Sequence, residues 1–218
     1  MKLAPSLMCA DFVELRPELD AFSAAGVDFL HMDIMDGHYV PNFTLGPDFC
    51  RRIAEYSSVP LDIHLMIEEV DHYVDAFAIA PNARLCFHPE TVYHPLRTIE
   101  HIRQAGALPG IAIDPSITIE SIRYLLPQIA FVCVMTVNPG YSGQHLIPEM
   151  IDKIAELHDF VQDAELRIDI EVDGNVSWDH IPNMVNAGAN TLVLGTSSLY
   201  DGLESLEMNF ERLRLLIA

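Results

Sequence analysis

Positive charge is scarce in this chain of 218 residues. Lysine and arginine together number 12 against 32 aspartates and glutamates, which gives a formal net charge of −20, and lysine occurs only at Lys2 and Lys153. Nucleic acids and anionic membrane surfaces are bound by clustered basic side chains. The composition therefore argues against both as partners. Any anionic ligand must be held by local groups such as backbone amides or a metal ion.

Long apolar segments and paired cysteines are also missing. The sequence contains no run of about 18 apolar residues, the length needed to cross a bilayer. Its first residues lack the apolar stretch and cleavage site of a signal peptide. The four cysteines form no CxxC pair, which favours reduced core thiols: Cys9, Cys50, Cys86 and Cys133. These absences predict a cytoplasmic protein.

The dominant pattern is a repeat of short apolar runs, each followed by a turn and a helical pattern. The spacing of roughly 20 to 35 residues is about one βα unit. We predict eight strands: Leu3–Met8, Phe29–Asp36, Leu61–Ile67, Arg84–His88, Gly110–Asp114, Phe131–Val137, Arg167–Asp173 and Thr191–Gly195. The fold class is thus α/β, a (β/α)8 TIM barrel forming a single domain over 1–218. An open doubly wound sheet is less favoured, because GxGxxG does not follow the first strand.

Polar side chains gather at the ends of these strands, where barrel enzymes carry their chemistry. Alternation along a strand places the following pairs each on one face: His31 with Asp33, Asp62 with His64, and Glu171 with Asp173. Burying so many ionisable groups is unfavourable unless they pair or bind a cation. Two histidines and two aspartates suit Zn²⁺, Fe²⁺, Mn²⁺ or Co²⁺. A hydrogen-bonded polar layer without metal is the alternative. If these residues bind a cation, their pattern predicts metal-assisted proton transfer. It does not define the substrate.

Glycine-containing loops follow the last three predicted strands. They are residues 138–144, residues 173–175 and residues 195–197. Loops after strands seven and eight, with short helix N-termini, recur as the phosphate site of barrels. None of the three contains lysine or arginine, so backbone amides and hydroxyl groups would have to bind the phosphate.

Five segments resemble the ribulose-phosphate 3-epimerase family. They are Ser6–Asp11, His31–Asn42, Leu61–Met66, Val137–Gly140 and Glu171–Gly174, and the HxDxMDGHxVPN block within them is specific to that family. The resemblance runs in register from Ser6 to about Tyr200. It implies a (β/α)8 barrel enzyme, an isomerase, that inverts C3 of a ketose phosphate through a cis-enediolate.

The resemblance also implies a cofactor and roles for individual residues. One divalent ion per subunit (Zn, Fe, Mn, Co or Mg) would be held by His31, Asp33, His64 and Asp173, with Asp33 and Asp173 as acid and base. Ser6, His64 and Asp173 would touch the substrate. The phosphate would be bound by Gly140, Tyr141, Ser142, Gly143, Gly174, Asn175, Gly195 and Thr196. Met35, Met66 and Met135 would cap the enediolate, although core filling is an equal alternative for Met135. The resemblance further implies a homo-oligomer, a dimer or a hexamer.

The substrate has two candidates. Four short segments resemble the allulose-6-phosphate 3-epimerase branch: Leu7–Cys9, Met135–Val137, Ile147–Met150 and Gly195–Ser197. The expected reactions are therefore D-allulose 6-phosphate to D-fructose 6-phosphate, D-ribulose 5-phosphate to D-xylulose 5-phosphate, or both.

Two other functions remain as alternatives. One is a non-catalytic barrel that binds a sugar phosphate or a metal. The other is a barrel lyase or decarboxylase, which usually needs a lysine at a strand end. We expect His88 to be a hydrogen-bonded interior histidine rather than a fifth metal ligand.

Overall fold

Eight parallel strands form a barrel in the computed structural model, which describes residues 1–79 and 83–217. The strand order is β1-β8-β7-β6-β5-β4-β3-β2. The bounds are β1 Lys2–Pro5, β2 Leu30–Met35, β3 Leu61–Met66, β4 Arg84–Phe87, β5 Leu108–Ile113, β6 Phe131–Met135, β7 Asp169–Asp173 and β8 Thr191–Leu194. The predicted fold class is confirmed, and each strand overlaps the segment predicted for it.

Helices follow the strands around the outside of the barrel. Their bounds are α1 Leu15–Ala25, α2 Pro47–Tyr56, α3 Val74–Phe77, α4 Pro95–Gln104, α5 Ile119–Ile122, α6 Glu149–Asp163, α7 Ile181–Asn186 and α8 Leu206–Leu216. The last helix begins at Leu206 because the Ser205 hydroxyl accepts a hydrogen bond from the Met208 amide, which caps the first turn. Within the described residues, no helix combines the length and hydrophobicity needed to cross a membrane.

Both faces of the strands are covered, which explains their nearly continuous apolar sequences. Side chains that point outward, such as Leu30, Met32 and Ile34, pack beneath the helices in the main core. Side chains that point inward fill the barrel, where one apolar cluster comprises Cys86, Ala112, Phe131, Cys133 and Met135. The interior is therefore packed, and access to it is from the rim.

The barrel is joined between β1 and β2 by few backbone contacts. The Phe29 amide donates to the Leu3 carbonyl at 3.2 Å, and Ser6 forms an isolated parallel bridge with His31. The prediction that β1 continues to Met8 was wrong. After Ser6 the chain turns into a short 3-10 helix, Leu7–Cys9, because it has reached the rim, where no neighbouring strand pairs with it.

Candidate active site at the carboxyl ends of the strands

Four ionisable side chains converge at the carboxyl-terminal end of the barrel. Strand β2 contributes His31 and Asp33, β3 contributes His64, and β7 contributes Asp173. Their nearest ligand atoms all lie within 4.8 Å of one another. The sequence placed these residues on inward strand faces, and the structure brings all four together.

Four nitrogen-to-oxygen distances within this group are close to the edge lengths of a metal coordination tetrahedron. His31 Nε2 lies 3.4 Å from Asp33 Oδ1 and 3.8 Å from Asp173 Oδ2. His64 Nδ1 lies 3.8 Å and 3.5 Å from the same two oxygens. Ligand bonds of about 2.0–2.2 Å around a tetrahedral ion would separate neighbouring donors by roughly 3.3–3.6 Å.

Two buried nitrogen atoms in the group have no hydrogen-bond partner among the described residues: His31 Nε2 and His64 Nδ1. Leaving such atoms unsatisfied is costly unless something binds them. A divalent cation accepts lone pairs from imidazole nitrogen and carboxylate oxygen together. The donor set and the two unpaired nitrogens therefore fit a cation.

The local charge favours positive charge at this point. Burial alone would lower the pKa of His31, but Asp33 and Asp62 raise it well above its ordinary value. Burial would raise the pKa of Asp33, but His31 and His64 hold it below its usual range. The carboxylates thus stabilise positive charge at the point where the imidazoles meet.

Each of three ligand candidates has a second partner that fixes its orientation. The Ser6 hydroxyl donates to Asp33 Oδ2 at 2.6 Å. His31 Nδ1 lies 2.8 Å from Asp62 Oδ2, and His64 Nε2 lies 2.9 Å from Nε2 of His88.

His88 is buried and stacks on the Tyr39 ring. Burial, together with the charge of His64, lowers the pKa of His88 to about 4. A neutral His88 can accept a hydrogen bond from His64, as expected for an interior histidine and not for a ligand. The structure therefore assigns His88 to the support of His64.

A cleft that is open to solvent lies above the four residues, with Asp33 and Asp173 in its lining. Among the predicted substrate contacts, all of the following line it: Ser6, Gly140, Tyr141, Ser142, Gly143, Asp173, Gly174, Asn175, Gly195 and Thr196. His64 lies below its floor, fully buried. Further lining residues outside the predicted contacts include Met8 and Cys9 after β1, and Ser197 after β8, which belongs to a predicted glycine loop. Their position just beyond β1 and β8, at the rim, is the signal that could have identified them.

Methionine side chains form the apolar side of this cleft. Met35, Met66 and Met135 all line it, and Met35 and Met66 pack with Val40 in a separate small cluster. Met135 also belongs to the apolar cluster inside the barrel, so both interpretations of that residue describe part of its surroundings.

The glycine loops also line the cleft and are tied together by hydrogen bonds. Thr136 Oγ1 donates to the Gly174 carbonyl. The Asn175 side chain donates to Ser197 Oγ at 2.9 Å and accepts from the Leu146 amide at 3.2 Å. The Asn175 amide group is thus engaged with other loops, so this residue offers the cleft mainly its backbone.

A charged layer lies directly beneath the four residues, inside the barrel. Asp62, Arg84 and Glu171 are almost completely buried there. Sequence alternation predicted the inward positions of Asp62 and Glu171, but Arg84 was missed. It begins β4, and a single arginine at a strand end resembles a solvated terminus.

Comparisons with known proteins identify the relatives of this chain. The sequence profile described as "Ribulose-phosphate 3 epimerase family" matches residues 2–199. The chain belongs to the ribulose-phosphate 3-epimerase family. It is 39% identical to the ribulose-phosphate 3-epimerase of Bacillus subtilis over 198 residues, covering 90% of this chain and 91% of the relative. It is 36% identical to that of Escherichia coli over 200 residues, covering 91% and 88%. As a member of this epimerase family, the protein is an isomerase.

Two solved structures resemble it in fold, at low sequence identity. A mutant tryptophan synthase alpha-subunit from Pyrococcus furiosus superposes with a TM-score of 0.66 at 17% identity, covering 99% of this chain and 97% of that one. A thiamine phosphate pyrophosphorylase from the same organism gives a TM-score of 0.60 at 14% identity, covering 99% and 95%. Both relationships confirm the TIM barrel and carry no functional weight.

Neither lysine of this epimerase-family chain faces the cleft. Lys2 pairs with Asp169 at 2.6 Å, at the start of β1. Lys153 Nζ donates to the backbone carbonyls of Asp114 and Pro115. A lyase or decarboxylase that relies on a lysine at a strand end is therefore not favoured by the structure.

Proposed function

We propose that this protein is a divalent-cation-dependent ketose-phosphate 3-epimerase in which Asp33 and Asp173 exchange the C3 proton. The observation that carries the proposal is the convergence of two carboxylates and two unpaired imidazole nitrogens within 4.8 Å at the floor of the cleft. Membership of the epimerase family supports the reaction class.

His31, Asp33, His64 and Asp173 would hold the cation through His31 Nε2, His64 Nδ1 and one oxygen of each aspartate. When bound, the ion stabilises negative charge that develops on substrate oxygens as the neighbouring carbon loses its proton. The native metal could be Zn, Fe, Mn, Co or Mg, because this ligand set accepts several.

The two aspartates would act from opposite sides of C3. One carboxylate oxygen removes the proton, and the other aspartate returns a proton to the far face, which inverts the centre. Ser6 occupies Asp33 Oδ2, so Oδ1 is the oxygen left to face the ion and the substrate. Met35, Met66 and Met135 would exclude water from the deprotonated substrate.

The phosphate would lie against the loops at 140–143, 174–175 and 195–196, which line the same cleft. Amides and hydroxyls would hold it there, since lysine and arginine are lacking in these loops. Relatives named ribulose-phosphate 3-epimerase support D-ribulose 5-phosphate as substrate. The allulose-like segments support D-allulose 6-phosphate as a second substrate, and comparison of kcat/KM for the two distinguishes them.

Exchange of the C3 proton in D₂O tests the mechanism. Wild-type protein with Zn²⁺ or Co²⁺ should replace the C3 proton of either ketose phosphate with deuterium. Loss of the C3 proton signal in the proton NMR spectrum measures this exchange. Asp33→Asn and Asp173→Asn should each reduce epimerisation by more than about 10³-fold, because each removes an acid/base group and a ligand. Unchanged circular dichroism would show that the fold persists.

Asp48→Asn is the matched control for these variants and should keep normal epimerisation. It makes the same substitution at an exposed carboxylate of α2 that pairs with Arg51 and does not belong to the four-residue group. Normal turnover by both aspartate variants, or full activity after thorough chelation, would overturn the proposed mechanism.

Assembly and location remain predictions. We expect a homo-oligomer, dimer or hexamer, formed by one domain over 1–218 and present in the cytoplasm. Sedimentation velocity would reveal the assembly as a multiple of the 24.4 kDa chain mass.

A further inference from the structure

Three neighbouring strands place charged side chains side by side beneath the cation site. Strand register pairs His31 with Asp62 and Asp62 with Arg84. Residues paired in this way point to the same face of a sheet, which here is the barrel interior. All three are buried, with 2% or less of their surface exposed.

Asp62 connects the other two. Its Oδ2 lies 2.8 Å from His31 Nδ1, and its Oδ1 lies 3.3 Å from Arg84 Nε. The first contact is a hydrogen bond. The second lies within ion-pair distance but lacks hydrogen-bond geometry, so Arg84 acts on Asp62 through charge and proximity.

Arg84 lies between two aromatic rings and a second carboxylate. Its guanidinium carbon lies 4.4 Å from the centre of the Phe29 ring and 3.8 Å from that of Phe131. Its Nη2 lies 3.0 Å from Glu171 Oε2 on the other side of the barrel. Stacking between two rings fixes the plane of an arginine and offsets part of its desolvation.

This geometry has a consequence for His31. A carboxylate at Nδ1 accepts a hydrogen bond from the Nδ1–H, which keeps the proton on that nitrogen and leaves the lone pair on Nε2. Nε2 is the atom that faces Asp33 and Asp173. A carboxylate alone in this interior would be costly, and the guanidinium beside it offsets that cost.

We propose that Arg84 is a positioning residue for the cation site: it holds Asp62 against His31 Nδ1, so that His31 presents Nε2 to the cation. The inference rests on the proposed cation site. It adds to that site a supporting layer of Asp62 and Arg84, neither of which touches the substrate or the ion.

Zinc affinity of the purified full-length protein provides the first test. Protein stripped by a chelator is titrated with Zn²⁺ by calorimetry in the presence of a competing chelator. Asp62→Leu and Arg84→Met should each weaken zinc binding by about 10- to 100-fold, the usual effect of removing an outer partner of a ligand. The double variant should bind no more weakly than Asp62→Leu alone, because Arg84 acts through Asp62.

Arg123→Met is the matched control. It makes the same substitution at an arginine that pairs with Glu120 and lies over the Tyr124 ring, and no described ion pair joins Arg123 to Asp62, Asp169 or Glu171. Its zinc affinity should stay within about twofold of wild type. Arg84→Lys, which keeps the charge but loses the planar stack, is the second variant and should bind zinc several-fold more weakly.

A spectroscopic readout separates positioning from simple destabilisation. In ¹⁵N-histidine-labelled, zinc-loaded wild-type protein, His31 should carry its proton on Nδ1 and bind zinc through Nε2. The Nδ1 proton signal should shift or broaden in the folded Arg84 variant. Thermal melts of the metal-free proteins identify any variant that is unfolded.

Zinc bound through His31 Nδ1, or a folded Arg84 variant that binds zinc within twofold of wild type, would overturn the inference. If Arg84→Met does not fold, the zinc affinity of Arg84→Lys and the wild-type spectrum test the inference. The same two outcomes, zinc bound through His31 Nδ1 or affinity within twofold of wild type, would overturn it. Wild-type protein that binds no divalent cation would instead overturn the proposed cation site, and this inference with it.

Discussion

The two carboxylate oxygens of Asp33 face different partners. Oδ2 accepts the Ser6 hydroxyl at 2.6 Å, and Oδ1 faces the imidazoles of His31 and His64 at 3.4 Å and 3.8 Å. The main-chain carbonyl of the same residue accepts from Thr44 Oγ1. Backbone and side chain are therefore both fixed, as a proton-transfer group requires.

Ser6→Ala should lower kcat by about 10-fold while leaving the fold intact. The loss follows because Asp33 would rotate without its hydrogen bond, and a charged hydrogen bond of this kind contributes about 1.5–3 kcal/mol. Steady-state kinetics with saturating Zn²⁺ measure the effect. Ser142→Ala, in the cleft-lining loop proposed to bind the phosphate, should instead raise KM. Equal kcat for Ser6→Ala and wild type would contradict the role of Ser6.

At the level of strands and loops, the sequence predicted the inward faces better than the ends. Alternation alone placed His31, Asp33 and His64 correctly, because only one face of each strand can enter the barrel. The predicted end of β1 was wrong, because apolar residues continue past the last strand residue into the short 3-10 helix at Leu7–Cys9. Arg84 could not be found from its own strand, because its partners come from β3 and β7 and only strand register brings them together.

Asp36 joins the loop after β2 to the loop after β3. Its carboxylate accepts hydrogen bonds from the amides of His38, Tyr39 and Glu68. Burial raises the pKa of Asp36, but these amides, led by Glu68, lower it below its ordinary value overall. A group with a depressed folded-state pKa contributes stability above its unfolded pKa, near 4, and loses it as pH falls through the folded value.

Asp36→Ala should therefore reduce the free energy of unfolding by about 1–3 kcal/mol at neutral pH. The difference from wild type should be constant between about pH 7 and pH 5 and should shrink below about pH 4. Urea unfolding of the metal-free proteins at several pH values measures it. Asp48→Ala, an exposed carboxylate in an i,i+3 pair with Arg51, serves as control and should change stability little. A difference that grows toward acid pH would contradict the assignment.

Gly174 is required by its loop for two reasons. Its φ of +109° is one that side chains rarely adopt, and an added Cβ would lie 2.5 Å from Val137 Cγ2. Gly174→Ala should therefore push apart the loops after β6 and β7 and raise KM by at least about 10-fold. Gly202→Ala, at φ +73° with nothing within 4 Å, is the control and should affect stability only. Steady-state kinetics and thermal melts separate the two effects, and an unchanged KM in Gly174→Ala would contradict the prediction.

The whole molecule carries a net charge of −20, which repels a phosphorylated substrate at long range. Added salt screens this repulsion, so kcat/KM should rise about two- to fivefold between about 10 mM and 150 mM NaCl, with kcat unchanged. For an unphosphorylated ketose that the enzyme turns over, kcat/KM should not change with salt concentration. A kcat/KM that falls with salt would indicate that local positive potential at the cleft exceeds the global charge.

The joint between β1 and β2 rests on a bridge between Ser6 and His31. The side chains of those same two residues reach toward the reacting centre: Ser6 to Asp33, and His31 to the proposed ion. Closure of the barrel and placement of Ser6 against Asp33 therefore depend on the same contact. A chain whose first strand is displaced would lack that contact, so activity would report whether the barrel is closed.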